Sequence, residues 1–225
     1  MRFCGGQRGR YSPAGGLPIA HNTGQPWRFS LSATDEKPPR TILLVCTGNL
    51  CRSPMAAALL RRYLDGDGAR RGWRVLSAGL WAEDGEPPST GAVMAMAERG
   101  IDLTGHRSRR LMPQMVEEAD LILGMAPQHV EAMRQAFPEA RDRIYLLAEM
   151  AGESHGIADP YGLSPVTYRA TANEIERLIR AGYERIVALA EGVRERRERH
   201  ERHERHERRE GHERHEGHEK DDASQ

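Results

Sequence analysis

The chain has 225 residues, enough for one ordinary α/β domain with extensions. Lys and Arg total 33 and so do Asp and Glu, a balance that argues for neither nucleic acid nor an anionic membrane as partner. No apolar run approaches the ~20 residues of a membrane helix, no signal-peptide core opens the chain, and Cys4, Cys46 and Cys51 are too few and too unevenly placed for a secreted disulfide framework, so a cytoplasmic location is expected.

Residues 1–39 are rich in Gly, Pro, Ser and Arg, show no sustained period and read as a disordered leader. Up to Ala33 the leader carries arginine but no acid, a loose likeness to a transit peptide that no amphipathic period supports. Thr41 to Val45 is a β-branched and leucine run suited to a strand buried on both faces. After the turn "VCTGNLCRSP" (45–54), Ala56, Leu59, Leu60, Tyr63 and Leu64 recur at helical spacing, with Ser53 read as N-cap and Pro54 as the first helical residue. Arg74 to Ala78 predicts a second strand, and Ser89 to Arg99 a helix closed by Gly100. Val116 to Ala119 leads into "DLILGM" (120–125), "QHVEAMRQAF" (128–137) is helical and "RIYLLAEM" (143–150) is a further strand. A last long helix carries Ile175, Leu178, Ile179, Ile186 and Val187 on one stripe.

Residues 191–225 form a charged, His-rich, low-complexity tail of Glu-Arg-His triplets that has no face to bury. Glu195 and Arg199, Glu198 and Arg202, Glu201 and Arg205, and Glu204 and Arg208 are i,i+4 pairs, each worth ~0.2–0.5 kcal/mol in a helix, so a solvated, fraying extension to Gly211 is expected. His200, His203, His206, His212, His215 and His218 admit weak binding of zinc or nickel. Against this, they sit on no rigid scaffold that would hold a metal.

Strands alternating with helices over residues 40–190 imply right-handed crossovers and an α/β domain whose mainly parallel sheet is covered on both faces. Ligands of such sheets sit beyond the carboxyl ends of the strands. The 45–54 turn lies at that end of the first strand and opens a helix, whose free N–H groups and dipole make an anion site. Between Cys46 and Arg52 the backbone can curl around a tetrahedral anion, Gly48 removes bulk, and Arg52 can grip two phosphate oxygens in its planar fork. The same field favours the anionic form of the Cys46 sulfur, and a thiolate beside a bound phosphoryl group is a nucleophile in position. A zinc site is disfavoured because no second cysteine pair accompanies Cys46 and Cys51, and a Walker loop because Gly-Lys-Ser/Thr is missing.

"VCTGNLCRSPMA" resembles the active-site signature of the low-molecular-weight protein tyrosine phosphatases. "SAG" (77–79), "GIDLTGHRS" (100–108), "ADLILGM" (119–125) and "DPYG" (159–162) follow in that family's order, so the likeness runs over about residues 41–190. It implies a single three-layer domain with a four-stranded parallel sheet flanked by helices and the phosphate loop after the first strand. It also implies hydrolysis of phosphorylated proteins, without metal or cofactor, through a cysteinyl-phosphate that releases inorganic phosphate. On this resemblance Cys46 is the nucleophile and Arg52 the phosphate clamp, within a substrate-binding loop of Thr47, Gly48, Asn49, Leu50, Cys51 and Ser53. Asn49, Ser53, Ser77 and His106 match the family's supporting network, and the Ser53 hydroxyl favours the thiolate. Cys51 matches a neighbouring cysteine expected to form a protective disulfide with an oxidised Cys46.

Such chemistry needs a proton donor for the leaving group, and Asp159, in a Gly-, Ser- and Pro-rich loop, is the candidate. Taken alone, Asp-Pro reads as an ordinary turn. A nearby dianionic phosphate supplies the repulsion that keeps a carboxyl protonated near neutral pH. Glu149, Glu153 and His155 are near in sequence and read as solvated loop residues. Tyr161 and Trp81 are the candidate apolar walls for the substrate side chain, although either fits equally as packing or surface filler.

Thr47 and Leu50 line the outer rim, where the resemblance divides. A bacterial branch that dephosphorylates phosphoarginine carries "CTGNTCRSP", with threonine at the position of Leu50, and "SHG" before Asp159-Pro160 also resembles that branch. Leu50 cannot hydrogen-bond a guanidinium, whereas it can pack on a phenyl ring, so phosphotyrosine is favoured and phosphoarginine is the alternative. Arsenate reduction, a third relative's chemistry, needs cysteines that do not occur after Cys51. Two readings of another class stay open at this point: a phosphoprotein-binding module without turnover, and a metal-binding tail with a passive domain.

Overall fold

The computed structural model describes residues 39–222; the expected leader, apart from its last residue, and residues 223–225 lie outside the described residues. The segment "TILLVC", apolar after its first residue, forms β1, Thr41–Cys46, buried at every position. A strand buried at odd and even positions alike must be covered on both faces. Ile42, Leu43, Leu44 and Val45 are wholly inaccessible, each contributing roughly 1.5–3 kcal/mol of apolar burial.

β2 (Arg74–Gly79) and β3 (Leu121–Gly124) pair with β1 on either side, and β4 (Ile144–Leu146) pairs with β3. All pairings are parallel and the order is β2-β1-β3-β4. The expected four-stranded α/β architecture is therefore present. Helix α1 (Arg52–Gly66) packs on β1 and β2; α4 (Pro127–Ala136), which follows α2 (Thr90–Ala97) and α3 (Pro113–Glu118), packs on β3 and β4. A 3-10 turn (Pro138–Arg143) leads into β4. Beyond α5 (Leu147–Met150), α6 (Pro165–Asp222) lies against α1, α2, α5 and β3, with the predicted stripe Ile175, Leu178, Ile179, Ile186 and Val187 buried.

Three local expectations are corrected. Helix α1 begins at Arg52, and its cap residue Cys51 makes no side-chain cap bond; Ser53 lies inside the first turn because its hydroxyl is engaged with Cys46 and Asn49. The fourth strand stops at Leu146 instead of Met150: its neighbour β3 ends at Gly124, opposite Leu146, so further residues would have no ladder to join. The chain turns into α5, and Glu149 accepts the Leu146 N–H at 2.8 Å. Finally, α6 runs past Gly211 and Gly217 to Asp222, since each glycine costs about 1 kcal/mol and an established helix propagates through them. Packing of α6 continues to Val193, 3% exposed, and to Arg194, 3.7 Å from Asp120 Oδ2, which also accepts the Thr41 N–H at 2.9 Å.

Candidate active site

Cys46 ends β1, and the chain from Thr47 to Cys51 turns into α1 at the carboxyl edge of the sheet. The Cys46 sulfur lies 3.0 Å from Ser53 Oγ and receives the Asn49 N–H at 3.3 Å. Asn49 adopts φ 57°, a left-handed conformation that Asn tolerates better than most residues. Its wholly buried side chain holds that conformation by donating from Nδ2 to Ser53 Oγ at 2.9 Å and Ser77 Oγ at 3.0 Å, while Oδ1 accepts the Arg109 N–H at 3.0 Å. The Asn49 carbonyl accepts from His106 Nε2 at 2.8 Å, which fixes the proton of this half-buried ring on Nε2. Burial, the larger effect, and nearby Arg109 and Arg107 push the His106 pKa down, against the pull of that bond. Asn49, Ser53, Ser77 and His106 thus form one hydrogen-bonded group around the loop.

From the first turn of α1 the Arg52 side chain, 4% exposed, reaches under the loop. Its Nη1 donates to the Ile157 carbonyl at 3.2 Å and Nη2 to Thr47 Oγ1 at 3.0 Å. Nη2 also pairs with Asp159 Oδ2. Its Nε–H is buried with no hydrogen-bond partner among the described residues. Cys46, Thr47, Gly48, Leu50, Cys51, Arg52, Asp159 and Tyr161 line one cavity of about 180 Å³. Gly48 is not crowded by protein, since a Cβ there would meet nothing closer than Leu50 at 3.9 Å. The space it leaves clear is the cavity itself.

Tyr161 is exposed yet lines the cavity together with Leu50 of the loop. Trp81 does not join them. Its backbone N–H donates to the Thr47 carbonyl at 3.0 Å, but the indole is 61% exposed and outside the cavity lining. Cys46 and Cys51 are both free thiols. The Cys51 sulfur sits 3.0 Å from Ser89 Oγ and 3.6 Å from the Tyr168 hydroxyl, and burial pushes its pKa up despite those bonds. Glu153 pairs with Arg177, His155 with Glu153 and Glu174, and none of them lines the cavity.

One residue of the site went unread in the sequence. His129, in the first turn of α4, is wholly buried with Nε2 3.0 Å from Thr47 Oγ1. Burial, then the charge of Arg52, lowers its pKa to about 4, so the ring is neutral. A helix that opens at the carboxyl end of a parallel strand was the available signal. Among the described residues no three His, Cys, Asp or Glu side chains are grouped to hold a metal ion, and no helix is long and apolar enough to cross a membrane.

A thiol fed by donor groups, a buried guanidinium with an N–H unpartnered among the described residues and a carboxylate in the same cavity suit attack on a tetrahedral oxyanion ester. Known proteins agree. A protein-arginine-phosphatase of Geobacillus stearothermophilus is 41% identical over 142 residues, covering 63% of this chain and 92% of that protein. A probable low molecular weight protein-tyrosine-phosphatase, EpsP, of Ralstonia nicotianae is 40% identical over 150 residues, covering 67% and 98%. The solved structure of the low molecular weight protein tyrosine phosphatase from T. tengcongensis matches with a TM-score of 0.62 at 37% identity, covering 65% of this chain and 99% of that one. The model of the family described as low molecular weight phosphotyrosine protein phosphatase matches residues 41–191, and this chain belongs to that family.

Proposed function

We propose that this protein hydrolyses phosphotyrosine in proteins by way of a phosphate ester on the Cys46 sulfur. The observation that carries the reading is one cavity lined by Cys46, Arg52 and Asp159 together, with the buried Arg52 Nε–H lacking a partner among the described residues. The phosphoryl group enters the loop and draws Arg52 into a two-point grip, which loosens its hold on Asp159. The thiolate, supported by Asn49 N–H and the Ser53 hydroxyl, attacks phosphorus as the bond to the phenolic oxygen breaks. Asp159 gives that oxygen its proton. A water molecule then attacks phosphorus, Asp159 takes the water's proton, and inorganic phosphate leaves with the thiolate restored.

Leu50 and Tyr161, which both line the cavity, support an aryl group as the leaving side chain, since the Leu50 side chain gains from packing on a ring and gives a guanidinium nothing to bond. Phosphoarginine is the second reading, favoured by the 41% identity to a protein-arginine-phosphatase. Cys51 lines the same cavity and is the thiol we expect to trap an oxidised Cys46. A reducing compartment such as the cytoplasm suits a reactive thiolate. The phosphatase domain takes residues 40–190 together with the first turn of the expected 191–225 tail, through Val193 and Arg194, and the rest of that tail is accessory, with metal binding there a separable property.

The test is hydrolysis of p-nitrophenyl phosphate and of matched phosphotyrosine and phosphoarginine peptides. Turnover of the aryl esters, lost in Cys46→Ser, is expected. Binding of phosphopeptide without release of phosphate would reduce the protein to a binding module, and preference for phosphoarginine would install the second reading.

A further inference from the structure

His129 does not touch the cavity, yet it faces the one loop hydroxyl that does. Thr47 Oγ1 lies 3.0 Å from His129 Nε2 and receives Arg52 Nη2–H at 3.0 Å. Thr47 also lines the cavity beside Cys46. Taking the phosphatase reading above as given, we propose that His129 is a positioning residue that fixes the direction of the Thr47 hydroxyl proton, aiming it at the phosphoryl group in the loop.

Neutral imidazole carries one proton, on Nδ1 or on Nε2. His129 Nδ1 is buried with no hydrogen-bond partner among the described residues. With the proton on Nδ1, the interior would hold an orphaned N–H donor, and Nε2 would absorb the Thr47 proton. With the proton on Nε2, only a bare ring nitrogen is orphaned, and unsatisfied acceptors are tolerated better than unsatisfied donors. The second tautomer is therefore preferred, and Nε2–H donates to Thr47. Both lone pairs of Thr47 Oγ1 are then filled, one by Arg52 and one by His129. Its own proton has only the cavity side left to point to.

The groups charged near the ring are Arg52 and Asp159, of opposite sign, and the ring stays neutral beside them. His129 adds no charge and moves no proton during the reaction. Its effect is to turn Thr47 from a donor pointing away from the substrate into one pointing at it, a contact strengthened by the negative charge on the phosphoryl oxygens.

The experiment has a direct arm and a kinetic arm. Long-range 15N–1H correlation on the intact protein reads the tautomer: a protonated Nε2 and bare Nδ1 are expected, and the opposite pattern overturns the proposal without reference to activity. In the kinetic arm, His129→Phe should lower kcat/KM for p-nitrophenyl phosphate roughly 10- to 100-fold, the worth of one charge-assisted hydrogen bond. His129→Gln, which keeps an amide donor at similar reach, should recover most of that. In a Thr47→Val background His129→Phe should cost nothing further. An equal loss in both backgrounds, or no recovery with glutamine in a variant that melts like the parent, would make His129 a packing residue and overturn the proposal. If the parent protein fails to turn over any phosphate ester, the function reading falls, and the tautomer still decides the inference.

Discussion

Asp159 grips Arg52 through Oδ2 while its Oδ1 accepts the Tyr161 N–H at 3.2 Å, so one carboxylate ties the guanidinium to the residue on the cavity wall. The carboxylate is 46% exposed and the arginine 4%, which places the pair at the boundary between core and mouth. Asp159→Asn keeps the shape and removes the proton. We expect kcat for aryl phosphates to fall roughly 10²- to 10⁴-fold. Inorganic phosphate should bind at least as tightly as before, because Arg52 no longer shares its charge with a carboxylate. Weaker phosphate binding in a competition assay would show that Asp159 holds the loop together instead of supplying the proton.

Gly79, the last residue of β2, leaves no room for a side chain: a Cβ there would lie 2.6 Å from the Thr47 carbonyl oxygen and 2.9 Å from Asn49 N. Both atoms are loop backbone and cannot move aside without disturbing the Asn49 N–H that reaches the Cys46 sulfur. Gly79→Ala should therefore cost about 1–3 kcal/mol of stability by overpacking and reduce kcat/KM by more than tenfold. Denaturant titration and steady-state kinetics on the same preparation check both parts.

Buried His129 and half-buried His106 set a pH window for stability. The folded-state pKa of His129 is about 4 and that of His106 is also lowered, against an ordinary value of 6.5. Below pH 6.5 the unfolded chain takes up protons that the folded protein refuses. Stability should thus be fully present above about pH 6.5 and fall as the pH drops toward 4, by on the order of 2–3 kcal/mol from His129. Denaturation midpoints at pH 7.5 and 4.5 measure the loss, which His129→Gln should reduce.

Leu50 contributes to the cavity mouth with Tyr161 and makes no side-chain hydrogen bond there. Leu50→Thr places a hydroxyl where a guanidinium can use it. The ratio of kcat/KM for phosphotyrosine over phosphoarginine peptides should fall by about tenfold or more. An unchanged ratio would remove the reason for preferring tyrosine.

The tail offers a stability test at defined cut sites. A chain ending at Arg196 keeps Val193 in the core and Arg194 beside Asp120; one ending at Glu191 loses both. The shorter chain should be less stable by roughly 2–4 kcal/mol, from one buried valine and an uncompensated buried carboxylate. Thermal melting of the two truncations compares them directly.

What the sequence revealed followed from patterns with a single physical reading. β1 was legible because Ile42 to Val45 are apolar without a break, too short for a helix and bounded by a turn, which suits a strand covered on both faces. The loop was legible because cysteine, glycine, asparagine and arginine between that strand and a helix have few other uses. Ser53 was misplaced as a cap because a serine before proline looks the same whether its hydroxyl serves the helix or a neighbouring sulfur. β4 was drawn too long because leucine, alanine and methionine do not mark where the adjacent strand ends. Trp81 was drawn into the site because aromatic character does not disclose which way a side chain points. His129 was invisible for the opposite reason: a lone histidine on a helix resembles any satisfied core histidine until its ring is found beside Thr47.

Ser53 Oγ already accepts from Asn49 Nδ2, and its single hydrogen has two destinations in reach, the Cys46 sulfur at 3.0 Å and the Ala78 carbonyl at 3.2 Å. An anionic sulfur outcompetes the amide oxygen; a sulfur bonded to phosphorus has surrendered its charge and loses the contest. The hydrogen should therefore swing to the end of β2 when the intermediate forms and back when it breaks down. The protein would carry a reversible record of its covalent state in the direction of one O–H bond, with no heavy atom displaced.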